Sequence, residues 1–191
     1  SCRGPISQED GFVAWRCTNF ECPAQAVTRI RHFAARKALD LESLGESVAE
    51  ALVRHRHCAT PLDLFRLTEE VLANLNLGSE ESPRRFGEKN AAKILTALEV
   101  ARSKPLHRWL FAMGIRQLGE SAAKELSRLH RTLAEIPSSP ILVELLRDPR
   151  PDAKKKNDFL TKFAITGDVG PAVAETIVTF FKSEAGQHVI A

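Results

Sequence analysis

The apolar positions of this chain fall into one phrase that occurs four times. It runs apolar residue, Gly, Glu or Pro, then Ala four residues after the Gly and Leu or Ile seven after it. The copies open at Leu44-Gly45-Glu46, Phe86-Gly87-Glu88, Leu118-Gly119-Glu120 and Val169-Gly170-Pro171. Their later positions are Ala49 and Leu52, Ala91 and Ile94, Ala123 and Leu126, and Ala174 and Ile177. Spacings of four and seven share one helical stripe, and the small Ala lets a second helix come close. Glu or Pro after the Gly suits a first helical turn, because Pro needs no N–H there and Glu complements the dipole. The Gly can take positive φ and lets a backbone approach closely. Each copy therefore predicts a hairpin turn feeding the N-terminus of a helix. The Gly-to-Gly intervals are 42, 32 and 51, so the chain is not a strict solenoid but a set of units with variable linkers.

The remaining pattern fills in between. A helix is predicted over 24–38, with Ala26, Val27, Ile30, Phe33 and Ala34 on its apolar side and Arg29, Arg31, Arg36 and Lys37 on the other. Thr60-Pro61 opens a short helix to Leu67, and Thr68 caps the next. Gly78 to Pro83 reads as an exposed loop. The second phrase starts a helix from Glu88 to about Ser103, and Leu106 to Met113 forms another, with Trp109, Leu110 and Met113 as core. A helix over Ile141 to Leu146 sits between proline-rich brackets, and Lys154-Lys155-Lys156 reads as a solvated loop. One such unit is too small to bury its apolar face alone. Units one and two, and units three and four, are expected to pack as two pseudo-symmetric pairs in a mainly α fold.

Composition narrows the chemistry. With 191 residues, 43% hydrophobic and 27% charged, the chain can hold one good core or two small ones. It has no apolar run of membrane-spanning length and no signal-peptide pattern, so a cytoplasmic, membrane-free monomer is expected. The net charge of +3 is modest, but Ala101 to Arg131 holds seven Lys/Arg against two acids, around the third phrase. A helix N-terminus offers unpaired N–H groups to a phosphate. Four of them suggest a polyphosphate ligand, a nucleic acid. The expected contacts are the amides after Gly45, Gly87, Gly119 and Gly170, with Ser47, Arg85, Lys89, Arg116 and Ser121 beside them. No Walker-type loop, Ser/His/Asp arrangement or H-E-x-x-H stretch is present, so no catalytic residue is assigned.

Four Cys without a secretory signal favour a metal over disulfides. Cys2, Cys17 and Cys22, spaced C-x14-C-x4-C, predict a truncated four-cysteine zinc ribbon over 1–24, with a short strand over Phe12 to Arg16 leading into Cys17. Zinc needs four ligands, and Cys2 lacks its pair partner. Residues 25–191 then make the second domain. Cys58 is read as a buried small apolar residue.

Several stretches together resemble the bacterial NAD-dependent DNA ligases. Cys17-Thr18-Asn19-Phe20-Glu21-Cys22-Pro23-Ala24-Gln25, followed by Arg31-His32-Phe33, is similar to that family's zinc finger. Arg85-Phe86-Gly87-Glu88-Lys89 and Leu110 through Glu120 resemble its second and third helix-hairpin-helix motifs, and Pro61 through Thr68 its linker between the first two. The resemblance implies a structural zinc finger and tandem helix-hairpin-helix units gripping nicked duplex DNA across the minor groove, in replication and repair. It implies as partners the adenylation and oligonucleotide-binding domains that precede these parts in the family. The adenylated-lysine motif Lys-x-Asp-Gly does not occur here, so the parent enzyme would use NAD while this segment neither binds it nor ligates alone. The chain departs from the family in its incomplete first Cys pair, a longer loop before Phe86, and a long Thr132–Ala164 stretch. A free-standing helix-hairpin-helix subunit of a repair or recombination complex is the alternative, and a helical protein-interaction domain a third reading.

Overall fold

The computed structural model describes residues 3, 4, 6–8, 13, 15–17, 22–150 and 152–190. The chain divides into two compact units, one made of residues 1–36 and 40–103, the other of residues 37–39 and 104–191. The first holds phrases one and two and the second holds phrases three and four, the pairing expected from the repeat. Beyond one two-stranded ribbon, the described residues are helices, turns and loops.

In the first unit, β1 (Ile6–Gln8) pairs antiparallel with β2 (Trp15–Cys17), setting Ile6 opposite Cys17. Phe12 and Ala14 of the predicted strand lie outside the described residues. A 3-10 turn, Pro23–Gln25, leads into α1 (Ala26–Ala34). This helix stops short of the predicted residue 38. Ala35 turns extended (ψ 153°), and the amides of Asp40 and Leu41 return to Ala35 O and Ala34 O at 3.0 and 2.9 Å, closing the helix end. Then come α2 (Glu46–Arg54), a 3-10 turn Pro61–Arg66, α3 (Glu69–Ala73) and α4 (Glu88–Arg102). Thr68 caps α3 as expected, its Oγ1 accepting from Val71 N–H at 3.3 Å. Packing of α1 on α2 and α3 on α4 buries Ile30, Phe33, Leu52, Leu72 and Ile94. Cys58 joins the buried set; desolvation first, and the nearby Asp63 carboxylate second, push its thiol up to about 12.

The second unit holds α5 (Leu106–Ala112), α6 (Glu120–Leu129), α7 (Pro140–Arg147), α8 (Ala153–Lys156), a 3-10 turn Leu160–Phe163, α9 (Pro171–Lys182) and α10 (Glu184–Ile190). α5 packs on α6, while α7 and α10 pack on α9. Leu110 and Met113 are core as expected, with Trp109 half-buried. The lysine run is not a solvated loop. It forms α8, and Lys154 Nζ donates to Thr166 O at 2.6 Å and Val169 O at 3.1 Å, tying down the fourth hairpin.

The repeat's apolar positions behave alike. Ala49, Leu52, Ala91, Ile94, Ala123, Leu126, Ala174 and Ile177 are all 0% exposed. The residue before each Gly is also buried. The fourth unit departs at its entry. Gly114 opens the third hairpin at φ 61°, but Ala164 stands at the corresponding place at φ 48°, ψ 48°. A left-handed conformation costs an L-residue about 1–2 kcal/mol. Ala164→Gly should relieve part of that, less the extra entropy Gly loses on folding. Urea denaturation is expected to show the second unit stabilised by about 0.5–1 kcal/mol; a loss of stability would contradict the strain.

Candidate nucleic-acid interface

Each motif glycine is the N-cap of a helix: Gly45 of α2, Gly87 of α4, Gly119 of α6 and Gly170 of α9. The first helical N–H groups therefore lack intrahelical partners at each of these ends. The expectation of positive φ holds at Gly87 alone, at 87°. Gly45, Gly119 and Gly170 are extended, with φ of −85°, −74° and −121°. The sharp turning is done upstream instead, at Asp40 and Ser43 in the first hairpin, Gly114 and Gln117 in the third, and Ala164 in the fourth. A Cβ built on any of the four glycines would meet no atom within 4 Å outside its chain neighbours. Neither strain nor crowding inside the chain requires Gly at 45, 119 or 170.

The glutamates that follow two of these glycines are held by cations. Glu46 pairs with Arg31 at 2.7 Å. Glu120 pairs with Lys124 at 2.9 Å and Lys37 at 3.3 Å; hydrogen bonds first from Lys124 and then from Lys37 hold its carboxyl below its usual range. Those pairings offset a negative charge that would otherwise repel an anion at the helix start. Part of the basic stretch from 101 to 131 is thus internally used, since Lys124 serves Glu120, Arg128 serves Glu125 and Arg102 serves Glu99.

Within the first unit the structure gathers several expected contact residues. A cleft of about 620 Å³ is lined by Ser43, Gly45, Ser47, Arg84, Arg85 and Asn90, among others. A second, of about 810 Å³, shares Arg85 and Asn90 with it and adds Gly87 and Lys89. Gly45, Ser47 and Arg85 thus meet at one cleft, and Arg85, Gly87 and Lys89 at its neighbour. In the second unit, Arg116, Gly119 and Ser121 are exposed together at the third hairpin, and Gly170 opens the fourth.

No protein-family model matches the chain. Curated relatives match it almost end to end. A DNA ligase of Akkermansia muciniphila is 42% identical over 235 aligned residues, covering 98% of this chain and 30% of the relative. DNA ligases of Pelodictyon phaeoclathratiforme and Rhizorhabdus wittichii are each 35% identical, covering 100% and 94% of this chain and 24% and 26% of their own length. Over nearly its whole length the chain is homologous to DNA ligases. It spans about a quarter to a third of the relatives it matches.

In this DNA ligase homologue the cysteine pair has a local order of its own. Gln25 donates from its backbone N–H to Cys22 O at 2.9 Å and from Nε2 to Cys17 O at 3.3 Å, so one residue ties both cysteine backbones. Cys17 is half-buried and Cys22 buried. Cys2 lies outside the described residues, and among those described no group of three His, Cys, Asp or Glu is placed to hold a metal.

Two residues were missed by the sequence reading. Arg54 and Arg128 each stand nine residues after a motif glycine, in the first and third copies. Arg54 Nη2 donates to Asn76 O and Gly78 O at 2.9 and 3.1 Å, and Arg128 Nη2 to Phe163 O and Ala164 O at 2.7 and 3.3 Å. In each unit the first hairpin's second helix thereby holds the other hairpin by its carbonyls. The signal was legible: copies two and four carry Thr96 and Thr179 at the same offset, which sorts the four copies into two alternating kinds.

Proposed function

We propose that this chain is the DNA-gripping segment of an NAD-dependent DNA ligase, holding nicked duplex DNA by its backbone phosphates. The observation that carries the reading is the set of four exposed or half-exposed glycine N-caps, three of which, Gly45, Gly119 and Gly170, have no strain or crowding inside the chain to explain their missing side chains. An outside backbone pressed against those three would explain them. Homology to DNA ligases over nearly the whole chain supports the ligand class.

In this reading the amides after Gly45, Gly87, Gly119 and Gly170 point at phosphates, with Ser47, Lys89, Arg85, Arg116 and Ser121 reaching beside them. Such contacts position a protein without reading bases. Cys17 and Cys22, with Cys2 and a fourth ligand, would hold a structural zinc that ties the ribbon to α1. NAD and the adenylation chemistry belong to other parts of the parent enzyme. No helix among the described residues is long and apolar enough to cross a membrane.

The test is a titration of the chain on nicked duplexes of equal length and scrambled sequence, over a range of salt. Comparable affinities and a steep fall with salt are expected. Strong preference for one sequence, or no binding at low salt, would refute the reading.

A further inference from the structure

The segment before Phe86 is longer than the ligase resemblance leads one to expect, and the structure makes it a rigid arm. Asn76 and Arg85 form an antiparallel bridge, and Leu77 N–H donates to Arg84 O at 2.8 Å. Asn76 Oδ1 accepts from the amides of Gly78 and Arg84, both at 2.9 Å, and its Nδ2 donates to Ser79 O at 3.2 Å. The turn is packed so closely that a Cβ on Gly78 would collide with Ser82 O. From outside, Arg54 clasps Asn76 O and Gly78 O, with His55 Nε2 at 3.2 Å from Asn76 O. The returning side of the arm ends in Arg84 and Arg85. Both are exposed, and both line the 620 Å³ cleft with Ser43, Gly45 and Ser47. Among the described residues neither guanidinium has a hydrogen bond or ion pair.

We propose that Arg84 is a further phosphate-binding residue, and that Arg54 is a positioning residue that holds the arm so that Arg84 and Arg85 face the first hairpin. The inference rests on the nucleic-acid reading above. The cleft would then grip one stretch of backbone from two sides, helix-end amides at Gly45 and a fixed arginine pair opposite. Two unpaired cations on a backbone locked by this many hydrogen bonds lose little freedom on meeting an anion, and guanidinium suits phosphate geometry. Arg54 fits its own task for a related reason: one terminal nitrogen reaches two carbonyls from a planar, permanently charged group.

The experiment is a salt-series titration of the 191-residue chain and its variants on nicked duplex DNA. Arg84→Ala should weaken binding about five- to tenfold and reduce the salt slope by about 0.9, one phosphate's worth. Arg54→Ala should weaken binding about threefold or more, with Arg54→Lys rescuing only part. The decisive arm repeats Arg54→Ala in an Arg84→Ala/Arg85→Ala background, where its effect should vanish, because residues acting through one another are not additive. A phosphate ligand in its own right, or a general fold defect, would leave the effect undiminished there and overturn the positioning role. Wild-type affinity and slope for Arg84→Ala would overturn the new contact while leaving duplex binding intact. Absence of binding by the unmodified chain would instead remove the reading beneath it.

Discussion

Gly119→Val is expected to remove most of the chain's affinity for duplex DNA, by about tenfold or more, while leaving its fold unchanged. The reason is not backbone strain. Gly119 sits at φ −74°, ψ 174°, which valine adopts readily, and a Cβ there meets nothing of the chain within 4 Å. Replacing a Gly N-cap by Val costs about 1 kcal/mol at most in a solvent-exposed cap. An N-cap side chain lies beside the first amides of its helix, so the branched valine would crowd an anion held at Glu120 and Ser121. A phosphate held by those amides would be displaced beyond hydrogen-bond reach. Arg116→Ala, on the same hairpin, should act otherwise, weakening binding evenly across sequences and lowering the salt slope by about 0.9. Titration of both variants on nicked duplex, with urea denaturation alongside, separates the two. A folded Gly119→Val chain that binds like wild type would end the phosphate-turn idea for this hairpin.

That prediction shows where sequence reading reached and where it stopped. The apolar register of the four phrases was fully legible, because burial at i+4 and i+7 from a helix start is dictated by helical geometry alone. Element existence followed from it, and so did Thr68 as a cap. The φ values of the glycines did not follow. A Gly before a helix is compatible with either a left-handed or an extended cap, and only Gly87 takes the left-handed one. Among the positive-φ residues are Gln117 and Ala164, residue types that do not announce such a turn. The lysine run misled for a different reason. Three consecutive lysines look solvated, but the partners of Lys154 are the carbonyls of Thr166 and Val169, more than ten residues away. Long-range capping of this kind leaves no local pattern, except where the repeat itself marks it, as at Arg54 and Arg128.

The largest effect on stability is expected at Glu125, on the buried side of α6. Its Oε1 accepts from Thr166 N–H at 2.8 Å and from Arg128 Nη2 at 2.8 Å, and its Oε2 accepts from Arg128 Nε at 2.9 Å. Arg128 then continues to the carbonyls of Phe163 and Ala164. One carboxylate, only 6% exposed, therefore joins the helix after the third hairpin to the root of the fourth. Glu125→Ala leaves the Thr166 amide without its acceptor and the half-exposed Arg128 with only the carbonyls of Phe163 and Ala164, and should destabilise the second unit by about 1–3 kcal/mol. Glu125→Gln keeps an acceptor for Thr166 but loses the charge and the second acceptor, turning an amide NH2 toward the Arg128 Nε donor, so a smaller but still clear loss is expected. The pH dependence has a definite sign. Hydrogen bonding from Arg128 first, helped by the Thr166 amide and opposed by burial, holds the folded-state carboxyl below its ordinary value of 4.5. A depressed folded value means that the stabilisation is complete above about 4.5 and disappears as pH falls through the lower folded one. The wild-type second unit should thus lose stability below about pH 4.5 more steeply than the Glu125→Gln variant. The protein's two tryptophans make this measurable, for Trp15 lies in the first unit and Trp109 in the second. In a Trp15→Phe background, fluorescence-monitored urea denaturation at neutral pH and at steps down into the acid range reports on Trp109 alone. Equal acid limbs for the wild-type and Glu125→Gln chains, or a shift under about 0.5 kcal/mol for Glu125→Ala at neutral pH, a size usual for surface substitutions, would show that the two hairpins are joined by packing and not by this carboxylate.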